Sequence, residues 1–249
     1  MTGDEPQVLV VTGGTRGIGA AVAARAVGAG YAVCLSYAGD DDAAAATAES
    51  LRAVGGAVRT LRADARDPGT PALLLDAAAE LGAVTGVVAN AGVTGRLGRL
   101  ADSDAEGLRR VVDTNVVGTL LLAREAVRRW EADATPGVLV TVSSVAATSG
   151  APGEYVGYAA SKAAVEALTV GLAKEVGPAG IRVCCVSPGT TRTDIHAAAG
   201  EPGRADRVAP VVPLRRAGEP DEVAAAVMWL LSGEASYVSG CVLRVAGGL

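Results

Sequence analysis

The chain of 249 residues contains no phenylalanine and a single histidine, and aromatic residues make up only 3% of it. A core must therefore be assembled from valine, leucine and alanine, and these are plentiful: half of the residues are hydrophobic and only 20% are charged. One histidine, His196, leaves a metal site short of ligands, and Cys34, Cys184, Cys185 and Cys241 match no zinc spacing. All four cysteines lie in apolar, strand-like runs, the usage of reduced, buried thiols rather than of a disulfide framework, and nothing around them points to a catalytic cysteine. A net charge of −5 argues against nucleic-acid binding, which needs a basic surface. No apolar run reaches the roughly 18 residues of a membrane span, and Met1 opens no charged-then-apolar leader. The expectation is a cytoplasmic protein with no membrane segment and no resident metal. Linkers and internal repeats are also missing, so residues 1–249 read as one domain.

What is present is a regular alternation. Apolar, β-branched runs occur at 7–12, 31–36, 57–61, 84–89, 137–142, 180–186 and 241–245, with alanine-rich helical stretches near 17–29, 41–54, 69–82, 103–131, 155–177 and 219–232 between them. Such alternation implies right-handed βαβ units. The predicted fold is α/β: a doubly wound Rossmann domain with about seven parallel strands and helices on both faces, binding ligands at the carboxyl ends of its strands. The run Asp40-Asp41-Asp42 suits the amino terminus of a solvated helix.

Two local patterns carry chemistry. Val8-Leu9-Val10-Val11 reads as a strand buried on both faces, and it leads through Thr12-Gly13-Gly14-Thr15-Arg16-Gly17-Ile18-Gly19 into a helix. Strand, glycine-rich turn and helix together cradle a pyrophosphate on backbone N–H groups, with glycines where a side chain would block its approach. Farther along, Tyr158 and Lys162 stand one helical turn apart and share a face. A free phenol has a pKa of about 10, and an ammonium at about 4 Å lowers it by favouring the phenolate. A phenol so tuned serves as a general acid–base.

With the glycine loop, Asn90-Ala91-Gly92, Asn115, Ser143-Ser144, Tyr158-xxx-Lys162 and Pro188-Gly189 in this order, the chain resembles the classical short-chain dehydrogenase/reductases from Val8 to Gly248. The resemblance implies a catalytic tetrad of Asn115, Ser144, Tyr158 and Lys162. Ser144 holds the substrate carbonyl, Tyr158 exchanges the proton, Lys162 lowers the Tyr158 pKa and grips the nicotinamide ribose, and Asn115 holds a water that links Lys162 to solvent. It also implies a cofactor site of Gly13, Thr15, Arg16, Gly17, Ile18, Gly19, Asp64, Asn90, Gly92, Tyr158, Lys162, Pro188, Gly189 and Thr193. Asp64 would accept from the adenine amino group, or else cap the turn before Pro68. The family often has a second asparagine where this chain has Ala89. The predicted second strand ends without the acid that selects NAD, and Arg16 suits a 2′-phosphate, so NADP(H) is favoured and NAD(H) is the alternative, given the acids at 40–42.

Tyr155 has alanine, not lysine, one turn later, so Tyr158 is the acid, and Ser144, Tyr155 and Tyr158 line the substrate pocket. Ser143 is the lesser candidate for the serine role and supports the site from behind. The gly-, pro- and ala-rich segment 192–216 reads as a substrate lid. The reading is a carbonyl reductase or alcohol dehydrogenase acting on a small ketone or alcohol, with a homotetramer (or dimer) implied by the resemblance through helices 103–131 and 155–177. The alternatives are a 3-oxoacyl-carrier-protein reductase, with Arg128, Arg129 and Lys174 facing an acyl-carrier protein, and a non-catalytic NADP-binding sensor.

Overall fold

The computed structural model describes residues 5–249. Strands β1 (Gln7–Thr12), β2 (Ala32–Tyr37), β3 (Val58–Arg62), β4 (Ala83–Ala89), β5 (Val138–Val142), β6 (Arg182–Pro188) and β7 (Val242–Val245) form one parallel sheet among the described residues. Its order is β3-β2-β1-β4-β5-β6-β7, so the chain reverses its winding between β1 and β4. That is where a crevice opens at the carboxyl ends of the strands of a doubly wound sheet.

The long helices are α1 (Gly17–Gly28), α2 (Asp41–Ala53), α3 (Thr70–Ala79), α4 (Ala105–Val112), α5 (Gly118–Ala132), α7 (Val156–Val176) and α10 (Pro220–Leu231), with short turns α6 (Ala146–Ser149), α8 (Ile195–Ala198) and α9 (Arg204–Val208). Alternate strand residues face opposite layers. Val8 and Val10 pack with Leu74, Leu122, Trp130 and Val176 from α3, α5 and α7. Leu9 and Val11 pack with Val22, Leu51, Val227 and Leu230 from α1, α2 and α10. With no phenylalanine available, Trp130 fills the first layer, 4% exposed, and donates from Nε1 to Val84 O at 2.7 Å. Gly137 is required beside it, because a Cβ there would fall inside the indole.

Local signals account for the helix starts. Asp40 caps α2 by accepting from the Ala43 N–H at 2.9 Å, with Asp41 and Asp42 in the first turn, and Asp104 caps α4 through Gly107 N–H at 2.6 Å. Two expectations need correction. The stretch 103–131 is not one helix: a π-helical turn at Asp113–Val117 separates α4 from α5. The segment 192–216 is also less irregular than its composition suggests, since it holds α8, α9 and a 3-10 turn at Ala209–Val211. No helix among the described residues is long and apolar enough to cross a membrane. Cys34, Cys184 and Cys185 are buried and Cys241 is half-buried, all four as free thiols.

Candidate active site

The crevice is built first from the loop after β1. Gly13 and Gly17 hold φ of +61° and +53°, a left-handed region that glycine enters without strain. At Gly19 a Cβ would overlap the Gly13 carbonyl oxygen, so the helix can seat under the loop only with glycine there. Asn90, just after β4, donates from Nδ2 to Thr12 O at 2.9 Å and Gly13 O at 3.0 Å, while Thr12 Oγ1 accepts from the N–H groups of Asn90 and Ala91. The Asn90 side chain thus ties the two loops together across the switch point.

These residues suit a dinucleotide. Unlike α2 and α4, α1 has no side-chain cap at Arg16 and no acid in its first turn. Its leading N–H groups are left for an anionic ligand at the positive end of the helix dipole. Thr15 is buried, with its carbonyl accepting from Thr47 Oγ1 at 2.8 Å, and Ile18 packs into the core below. Thr193 reaches over the loop, so that a Cβ at Gly17 would lie 3.1 Å from its methyl carbon. Pro188 ends β6 rather than forming a turn, and Gly189 follows, where a Cβ would lie 2.8 Å from Ala246 Cα.

At the adenosine end, the geometry refines the expectations. Asp64 accepts from the Arg66 backbone N–H at 2.9 Å and pairs with its guanidinium at 2.6 Å, so the carboxylate caps its own turn and is held below the usual carboxylate range. Arg16 is exposed and lies 3.3 Å from Asp40, the acid that caps α2.

The second half of the site gathers on α7, β5 and the π turn. Lys162 is 4% exposed and donates from Nζ to Val142 O at 2.7 Å. Its ammonium lies 5.7 Å from the centre of the Tyr158 ring, and a Cβ at Gly92 would come within 3.3 Å of it. Here the electrostatics depart from the sequence expectation. Burial pushes the Tyr158 phenol up to about 12, opposed by a hydrogen bond to Ser144, and pushes Lys162 down to about 8. Desolvation of both groups outweighs their mutual attraction, because the ammonium is turned toward the Val142 carbonyl rather than the phenol oxygen.

Asn115, fully buried in the π turn, accepts from Val93 N–H at 2.8 Å and donates to Val93 O at 2.8 Å and Ser161 Oγ at 2.9 Å. Its side chain is therefore committed to holding the end of β4 against α7, and its carbonyl accepts from Thr119 Oγ1 at 2.8 Å. Ser144 Oγ accepts from Ala146 N–H at 3.2 Å and sits half-buried beside Tyr158. Ser143 points the other way, donating to Lys162 O and Glu166 Oε1, both at 3.0 Å.

Sequence reasoning missed several contributors. Ser161 donates to Tyr158 O at 2.7 Å while accepting from Asn115. Glu166 accepts from Ser143 and, at 3.2 Å, from Ser187, joining the ends of β5 and β6. Its signal was available: positions 158, 162 and 166 form one helix stripe. A cavity of about 280 Å³ opens beside Tyr158 and Tyr155, and its far wall is the segment 94–104, which carried no motif. The segment 192–216 closes over it: Leu97 N–H donates to Ala199 O at 3.4 Å, and Arg204 and Arg207 bridge Glu201 to Glu154. Among the described residues, no group of three His, Cys, Asp or Glu side chains is arranged to hold a metal.

Comparisons with known proteins agree with this geometry. The family model described as enoyl-(acyl carrier protein) reductase, adh_short_C2, matches residues 13–249. An uncharacterized oxidoreductase of Escherichia coli K12, YgfF, is 43% identical over 97% of this chain and 99% of its own length. The 3beta-hydroxysteroid dehydrogenase 1 of Eggerthella lenta is 36% identical over 98% of this chain and 93% of its own. A crystal structure of a short-chain dehydrogenase from Burkholderia cenocepacia J2315 in complex with NADP superposes with a TM-score of 0.87 at 32% identity, covering 96% of each chain. The chain belongs to the classical short-chain dehydrogenase/reductase family.

Proposed function

We propose that this protein is an NADP-dependent oxidoreductase that interconverts a small ketone and the corresponding secondary alcohol, with Tyr158 as general acid–base. The observation that carries the reading is the convergence of Ser144, Tyr158 and Lys162 on one cavity next to an uncapped glycine-rich helix start. NADP(H), when bound, supplies or accepts the hydride. The chain's own residues do the rest. Ser144 Oγ and Tyr158 Oη together hold the carbonyl oxygen, and a phenol whose pKa burial keeps near 12 is fully protonated at neutral pH and ready to donate. Lys162, held by the Val142 carbonyl, stands within reach of the ribose hydroxyls and passes protons toward the π turn at Asn115.

Gly13, Thr15, Gly17, Ile18 and Gly19 would hold the pyrophosphate, Asn90, Gly92 and Asp64 the adenosine side, and Pro188, Gly189 and Thr193 the nicotinamide. Arg16 supports NADP(H) over NAD(H), because a 2′-phosphate displaces the weak exposed contact with Asp40 and gains a bidentate one. The segment 192–216 acts as the lid. The exposed apolar residues Val112, Val117 and Leu120 on α4–α5 and Val170 on α7 support association of copies into a dimer or tetramer through those helices. A cytoplasmic location fits the free thiols. A 3-oxoacyl-carrier-protein substrate is less well supported, since Arg129 is already paired with Asp76 and Glu125.

The test is oxidation of NADPH by the purified protein against a panel of ketones, sugars, quinones and ketoacyl thioesters, with Ser144→Ala and Tyr158→Phe alongside. Each variant is expected to lose orders of magnitude in turnover while NADPH still binds. Near-normal turnover in Tyr158→Phe refutes the assigned acid, and tight NADPH binding with no tyrosine-dependent turnover favours a sensor.

A further inference from the structure

The cavity beside Tyr158 contains polar groups for which the reaction has no use. Tyr155 is 5% exposed and lines the same cavity, with its ring edge-on to Tyr158 at 6.3 Å between centres. Its hydroxyl is buried and meets no hydrogen-bond partner among the described residues. On its other side the His196 ring lies 6.4 Å away, and His196 Nδ1 is likewise buried without a partner among those residues. A buried polar atom left without a partner is costly, and two adjacent ones at the wall of a cavity call for a ligand atom to complete them.

The charges around the pair define what that atom can be. Arg204 stacks over the Tyr155 ring, with its guanidinium carbon 4.9 Å from the ring centre. It is already matched by Glu154 at 2.5 Å and Glu201 at 3.0 Å, and Arg207 is matched by the same two carboxylates. Two cations face two anions, and the cluster offers no net charge to a substrate. At the far wall Arg96 and Arg99 are balanced by Asp102 and Asp104. Burial raises the Tyr155 pKa and lowers that of His196, so both side chains are neutral at physiological pH. A neutral phenol and a neutral imidazole each exchange one hydrogen bond with an uncharged oxygen, whereas a carboxylate would enter a desolvated pocket without a free cation.

We propose that Tyr155 Oη and His196 Nδ1 bind a second, uncharged oxygen function of the substrate, a hydroxyl or keto group on the same small skeleton as the reacting carbon. The inference rests on the oxidoreductase reading for the reacting group, and it makes the enzyme selective for diols, hydroxyketones or diketones over simple alcohols and ketones. His196 reaches the pair from α8, so the second oxygen also helps fix the lid over the bound substrate.

The experiment is calorimetric titration of the NADP⁺-loaded protein with cyclohexanol and with the 1,2-, 1,3- and 1,4-cyclohexanediols, in the natural protein, Tyr155→Phe and His196→Phe. Both substitutions keep a flat ring against Arg204 and Tyr158, and either alone carries the test if the other variant fails to fold. The expected result is one diol binding roughly tenfold or more tightly than cyclohexanol, with that ratio reduced about threefold to tenfold in each variant. Equal affinities in the natural protein, or a ratio that both variants leave unchanged, overturns the proposal. Because the readout is a ratio of binding constants, it is independent of turnover. A protein that binds the diol through Tyr155 yet oxidises no alcohol sinks the oxidoreductase reading alone, and one that turns over simple ketones but shows no diol preference sinks this inference alone.

Discussion

Burying an ammonium leaves a signature in the pH dependence of stability, and Lys162 supplies a direct case. Desolvation lowers its pKa from 10.5 to about 8 in the folded, cofactor-free protein. Below pH 8 both folded and unfolded chains carry the proton, and the cost of burying the charge is present in full. Between pH 8 and 10.5 the unfolded chain keeps a proton that the folded one has released. The unfolded state then binds more protons, so stability rises with pH across that window. A fall from 10.5 to about 8 corresponds to about 3 kcal/mol. For a chain of this size that amounts to about 6–12 °C in melting temperature. Tyr158 acts in the opposite sense at higher pH: with its folded pKa near 12, the unfolded chain loses its proton first above about pH 10, and stability falls. The useful comparison is therefore thermal or urea unfolding of the natural protein and Lys162→Met from pH 7 to 10, both without cofactor. Subtracting the two profiles removes Tyr158 and all other shared titrations. The difference should move toward the natural protein by up to about 3 kcal/mol as pH rises. Parallel profiles would show that Lys162 titrates as an ordinary exposed lysine, and the electrostatic account of the site would be wrong.

Two further outcomes follow from particular contacts. Arg16→Ala should weaken NADPH binding by about 1–3 kcal/mol while leaving NADH nearly unchanged, measured by fluorescence titration of both nucleotides; equal losses would mean that Arg16 does not read the 2′-phosphate. Trp130→Ala removes the large ring that fills the layer under α5 together with its bond to Val84 O, and should cost about 3–5 kcal/mol in denaturant unfolding with the transition slope unchanged.

The contrast between Asn90 and Asn115 marks how far the sequence could be read. Both stand where the family places a site residue, yet each side chain here is engaged in holding backbone: Asn90 grips the glycine loop, and Asn115 grips Val93 and Ser161. Position in the chain is a local property, and it was legible. Which atoms a buried amide satisfies depends on what the fold brings within 3 Å of it, and no spacing rule contains that. The same holds for Asp64 and Arg16, whose carboxylate and guanidinium found partners at Arg66 and Asp40. The break in the stretch 103–131 was likewise illegible, because a π turn inserts one extra residue without changing the apolar pattern on either side.

By itself the sequence determined the alternation of strands and helices, the parallel sheet, the glycine loop and the Tyr158–Lys162 stripe, because each depends on a short-range period or a backbone conformation that a residue type dictates. Only the tertiary structure decided the rest. It turned the Lys162 ammonium to Val142, raised the Tyr158 pKa instead of lowering it, and set Glu154 against Arg204 and Arg207 across about 50 residues of chain. It also brought Tyr155 and His196 together at one wall of the cavity. Desolvation and pairing are properties of the three-dimensional neighbourhood, and that neighbourhood exists only once distant segments have packed.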